Sequence, residues 1–138
     1  MKGVVSKSSI RPLDPVIIRP YFTVLDWDKA RPVMADFVRK TSKETGMIFY
    51  GWDISGDKLY CREAYRDADA ALVHLDNVAS SITDLLAEGV AKLDSISIVG
   101  PAAELEKLKP DTESLGACAS VCWCVCWCVC KCVCWLVC

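Results

Sequence analysis

The stretch from residue 47 to 65 sets the strongest condition on this chain. "MIFYGWDI" and "KLYCREAY" are two strand-like runs, and only "SGD" separates them. β-branched and aromatic residues around a short glycine-containing loop predict an antiparallel hairpin. A hairpin alone is marginal in water, so the rest of the chain must cover one of its faces. Upstream, "PVIIRPYFTVLD" suits a strand, with Pro20 at an edge or a bulge. Ala30, Val33, Met34, Phe37, Val38 and Thr41 then recur at helical spacing after a capping Asp26 or Asp28. Gly46 stands where a left-handed helix end is expected.

Downstream, Asp67 opens the helical run "DADAALVHLDNV". "SSITDLLAEGVAKL" continues it past a bend near Asn77, with Ile82, Leu85, Leu86, Val90 and Leu93 on one stripe. "DSISIVGP" is a last strand, and Pro101 opens a small helix, "AAELEKLK". The order is βαββαβ, an α+β ferredoxin-like pattern with an antiparallel sheet, helices on one face and a bare apolar face on the other.

A length of 138 residues fits one folded unit. Residues 15–110 form it, with a leader at 1–14 and a tail at 111–138. The formal charge of −2 has its signs interleaved, which provides no patch for nucleic acid or an anionic membrane. The leader has no apolar run of the roughly 7–15 residues that a secretory signal needs. A cytoplasmic protein is expected, with an organelle-targeting role for the leader left open.

The line "VIIRPYFTV…MADFVRKTSKETGMIFYGWDISGDKLYCREAYRDADAALVHLDNV…ISIVGPAAELEKLKP" resembles the antibiotic biosynthesis monooxygenase family, in particular its quinol monooxygenase-like members. The most specific part is "YCREAYRDADAALVHL", in which Glu63, Tyr65 and His74 match the family's glutamate, aromatic residue and helix histidine. The resemblance implies a dimeric α+β barrel formed by two sheets face to face. It also implies a small aromatic substrate, such as a quinol or anthrone, oxidised by molecular oxygen without metal or flavin. A haem- or small-molecule-binding module without turnover is the alternative on the same fold. Haem degradation in the superfamily uses an asparagine on the first strand, which "PVIIRPYFTV" lacks.

Such chemistry makes the substrate its own reductant, because an ionised phenol gives up an electron far more readily than a neutral one. The site then needs a base, a group to hold the oxyanion, and apolar walls. His74 is the only histidine, and an ordinary pKa near 6.5 suits a base. Glu63 and Tyr65 stand two apart on one strand face and join it as catalytic candidates, Glu63 also being open to a structural pair with Arg19 or Arg62. Tyr50 and Trp52 share a face of the preceding strand and Phe49 takes the other; all three are candidate substrate walls or core. Asn77, three residues after His74, either binds a substrate carbonyl or ends the helix.

The tail "VCWCVCWCVCKCVCWLVC" carries, with Cys118 just before it, every cysteine except Cys61. Strict C-x-C spacing is not that of a zinc site, and Lys131 interrupts any membrane span. A repeated GT dinucleotide read in triplets yields alternating valine and cysteine, and one base change turns cysteine into tryptophan. The tail therefore reads as a translated repeat, with metal binding or anchoring as the rivals.

Overall fold

The computed structural model describes residues 15–114 and 119–122, with side chains to residue 111. The leader and the repeat beyond residue 122 lie outside the described residues. In chain order the elements are β1 (Val16–Val24), α1 (Trp27–Thr41), β2 (Met47–Ser55), β3 (Lys58–Tyr65), α2 (Ala68–Asn77), α3 (Ala79–Leu85), β4 (Ala91–Val99), α4 (Ala102–Ser114) and β5 (Ala119–Cys122). The sheet order is β2-β3-β1-β4-β5. The first four strands pair antiparallel, as the βαββαβ reading requires, and β5 adds a short parallel edge to β4.

Local chemistry explains most boundaries. Asp26 caps α1 by accepting from the Asp28 and Lys29 amides, and Asp67 caps α2 by accepting from Ala70. The hairpin closes through Gly56 at φ +62°, a left-handed conformation that costs glycine little. α4 runs through Pro110 to Ser114, past the unit boundary expected at residue 110.

Three expectations are corrected. The stripe ending at Val90 and Leu93 is not one helix: α3 stops at Leu85, Gly89 turns the chain at φ +75°, and β4 begins at Ala91. Val90 and Leu93 still face the core, so an apolar stripe with helical spacing was satisfied by a turn and a strand. Gly46 does not cap α1, which ends at Thr41 with Ser42 as its cap. A Cβ on Gly46 would sit 2.4 Å from the Cβ of Ala70, so this glycine lets the loop after α1 press against α2. The bare sheet face, finally, is mixed rather than uniformly apolar: Tyr21 and Tyr60 pack edge to face there and Phe49 is 45% exposed, but Arg19 lies beside them, Arg62 pairs with Asp53, and Lys58 pairs with Asp94.

The helix-covered face holds two apolar clusters. Val16, Ile18, Tyr65, Ala71, Ile98 and Leu108 make one; Phe22, Phe37, Leu59, Val78 and Leu85 belong to the other. A cavity lies where they meet, lined by Ile18, Ile96 and Ile98 of the first and by Phe22, Phe37 and Val78 of the second.

Candidate functional site

Alternation along β3 places Leu59, Cys61, Glu63 and Tyr65 under the helices, and all four are buried. Glu63 lies between Ile18 of β1 and Tyr50 of β2 in the strand register. On β2 an extra residue at Ile48 shifts the pairing between Met47 and Phe49. This bulge resets the phase, so that Met47 packs inward against one cluster while Tyr50 and Trp52, further on, face the cavity.

From the helix side, Ala70, Ala71 and His74 share the buried stripe of α2. The small alanines bring the helix close, and the imidazole of His74, 3% exposed, lies 4.9 Å from the Tyr65 ring and 5.7 Å from the Tyr50 ring.

Each nitrogen of that imidazole meets a carboxylate. Nε2 is 3.1 Å from Oε2 of Glu63, and Nδ1 is 3.1 Å from both oxygens of Glu44. The Tyr65 hydroxyl donates to the same Glu63 Oε2. The Asn77 amide donates to Glu44 Oε1 at 2.7 Å. An ionised carboxylate only accepts, so satisfying both partners requires a proton on each ring nitrogen. Burial pulls the His74 pKa down, but hydrogen bonding and charge from Glu63, then from Glu44, outweigh it and hold the pKa above 6.5. Burial and the charge of Glu63 push the Tyr65 phenol far above its ordinary value; burial, with Cys61 and Glu63 adding to it, does the same for Tyr50. The Cys61 thiol is also pushed up, mainly by burial. The site thus keeps its phenols, thiol and imidazole protonated around the Glu63 carboxylate.

The cavity measures about 60 Å³, and Glu63, His74, Tyr50, Trp52 and Cys61 line it among apolar side chains. Leu75 and Ile82 line this cavity and also border a groove of about 570 Å³. Trp52 Nε1 is fully buried and has no hydrogen-bond partner among the described residues. Trp52 is one of the residues that line the cavity. No cluster of three or more His, Cys, Asp or Glu among the described residues is arranged to hold a metal ion, and no described helix is long and apolar enough to cross a membrane.

The structure therefore gathers His74, Glu63, Tyr65, Tyr50 and Trp52. It does not bring in Phe49, which pairs opposite Ala64 on the other face and is 45% exposed. Asn77 is not a cavity residue either, its amide being held by Glu44. The pairing considered for Glu63 with Arg19 or Arg62 is not formed: Arg62 binds Asp53 and Glu63 binds His74 and Tyr65. Glu44 is the residue that sequence reasoning missed. It sits in "TSKETG", after α1, where the close packing of Gly46 on Ala70, the Arg66 N–H to Gly46 carbonyl bond and the Asn77 amide hold the loop beside α2.

No family model matches the chain, and no curated protein matches it in sequence. Solved structures do match. MupZ from Pseudomonas fluorescens is 28% identical, with 85% of this chain and 94% of MupZ covered and a TM-score of 0.72. SnoaB, a cofactor-independent oxygenase from Streptomyces nogalater, is 16% identical over 62% of this chain and 90% of its own, with a TM-score of 0.54. A candidate antibiotic biosynthesis monooxygenase from Chloroflexus aurantiacus is 14% identical over 64% of this chain and 93% of its own, with a TM-score of 0.51.

Proposed function

From a chain that has the ferredoxin-like fold of the antibiotic biosynthesis monooxygenases, we propose that this protein is a cofactor-independent oxygenase acting on a small electron-rich phenol, quinol or anthrone. The observation that carries this reading is the Glu63 carboxylate in an apolar cavity. Its Oε2 is occupied by Tyr65 and His74, which leaves Oε1 for a substrate proton. His74 was expected to be the base. With both ring nitrogens on carboxylates and its pKa raised, it instead braces Glu63, which takes the base role.

Glu63 removes the acidic proton of the substrate. The anion passes one electron to dioxygen, and the pair recombines to form a C–O bond. Cleavage of the O–O bond leaves one oxygen on the product and releases the other as water, both electron pairs coming from the substrate. The Trp52 N–H holds a second substrate oxygen, which favours quinols and hydroxyanthrones over simple phenols.

The test is oxygen uptake with a panel of hydroquinones and anthrones, metal chelated and no flavin added, with substrate loss followed in parallel by absorbance. Glu63→Gln is expected to lower kcat by about 10²–10⁴-fold, and higher pH to restore part of it by ionising the substrate in solution. Trp52→Phe is expected to raise KM with little change in kcat, by roughly the worth of one hydrogen bond, about 0.5–1.5 kcal/mol.

A second reading draws on the retained protons of His74, Tyr50 and Tyr65: proton transfer on an oxygen-bearing substrate without dioxygen. Substrate loss without oxygen uptake would establish it. Tight binding, read by tryptophan fluorescence, with neither change would make the protein a binding module.

A further inference from the structure

The two carboxylates on His74 open in different directions. Glu63 lines the apolar cavity under the helices. Glu44 lines a separate groove of about 160 Å³ on the other side of α2, together with Thr45, Arg66, Asp69 and Val73. That groove is well above the roughly 10–15 Å³ that one water needs, and the side chains of Glu44, Thr45, Arg66 and Asp69 on its wall offer water hydrogen-bond partners. Between cavity and groove stands a single imidazole, with Nε2 at 3.1 Å from one carboxylate and Nδ1 at 3.1 Å from the other.

We infer that Glu44, His74 and Glu63 form a proton relay that connects the cavity to solvent in the outer groove. The inference rests on the reading of Glu63 as the group that exchanges a proton with substrate. Glu44 is then a positioning and proton-exchange residue that never touches substrate.

The relay balances over one turnover. In the relay's starting state the imidazole carries two protons, one toward each carboxylate, and the three groups share one net negative charge. When Glu63 takes the substrate proton on Oε1, His74 releases its Nδ1 proton to Glu44, and Glu44 passes it to water in the groove. The net charge is restored while the Nε2–H bond to Oε2 stays in place. When the oxygen-derived leaving group needs a proton, Glu63 supplies it, and a proton returns from the groove through Glu44 to Nδ1. One proton out and one in leave the imidazole as it began, with no ring flip. The other titratable groups against the imidazole, Tyr50 and Tyr65, keep their protons and do not compete.

Because His74 is the only histidine, its two ring protons can be followed without ambiguity in a side-chain ¹⁵N spectrum of the full-length protein. The measurement is exchange of each ring proton with water, and no substrate is needed. In the wild type the Nδ1 proton is expected to exchange at least roughly tenfold faster than the Nε2 proton, although both belong to one buried ring and local opening would expose them together. In Glu44→Gln, which keeps an acceptor but cannot carry a proton, Nδ1 exchange is expected to slow by roughly tenfold or more while Nε2 is unchanged. Equal exchange at the two nitrogens in the wild type would overturn the relay, and that comparison needs no variant. Unaltered Nδ1 exchange in Glu44→Gln would overturn it as well. Absence of oxygen uptake would instead remove the oxygenase reading and leave the exchange result standing.

Discussion

Glu63 and Arg62 are neighbours on β3, yet they live under different physics. Arg62 points to the open face, where its side chain is 61% exposed and pairs with Asp53 at 49%. Glu63 points under the helices, where it is 5% exposed and held by Tyr65 and His74. The outer pair keeps its water and gains little from its partner. The inner group has lost its water, so each partner is needed to keep the charge there. One sheet therefore carries a surface of replaceable charges and a site of irreplaceable ones, set apart only by strand alternation.

The largest expected effect lies on the inner face. His74→Ala leaves Glu44 and Glu63 buried without their shared partner, and should destabilise the fold by about 3–5 kcal/mol in denaturant unfolding. The difference from wild type should depend on pH. A histidine whose folded pKa is raised above the unfolded 6.5 contributes fully below that value and loses its contribution as pH rises through the folded pKa. The gap between wild type and His74→Ala should accordingly narrow toward alkaline pH; a gap that widens would mean that His74 is buried neutral.

A smaller effect is expected where the loop meets α2. Gly46→Ala puts a methyl 2.4 Å from the Ala70 methyl, and overpacking of this kind typically costs about 1–3 kcal/mol. Because that contact carries Glu44 to His74, the variant should also disturb the His74 resonances. A stability loss with unchanged resonances would separate the packing from the site.

The smallest belongs to the open face. Asp53→Ala should cost only about 0.2–1 kcal/mol, and less at high salt, as for other exposed pairs. A larger cost that depends on protein concentration would mean that a second copy covers this face, as the family resemblance implies.

Much of the frame was legible in the order of residues. The hairpin at residues 47–65, the Asp26 and Asp67 caps, the first strand and the last antiparallel strand all follow from short-range chemistry. So does the shared face of Glu63 and Tyr65, because alternation on a strand needs no knowledge of the rest of the chain. The stripe through Val90 and Leu93 misled, since a core accepts apolar residues from a turn and a strand as readily as from a helix. Gly46 looked like a helix end because a glycine's reason for being small is not written beside it.

The sequence by itself determined which elements form and which residues alternate toward a common core, since periods of 2 and 3.6 are properties of the local backbone. It also marked His74, Glu63 and Tyr65 as a set, through resemblance. Only the tertiary structure decided that Glu44 completes that set, that Phe49 and Asn77 do not line the cavity, and that His74 has both nitrogens engaged. The reason is physical: whether a carboxylate is solvated or buried depends on what packs over it from distant parts of the chain. Glu44 and His74 are thirty residues apart, and meet where the loop after α1 packs closely on α2, Gly46 against Ala70.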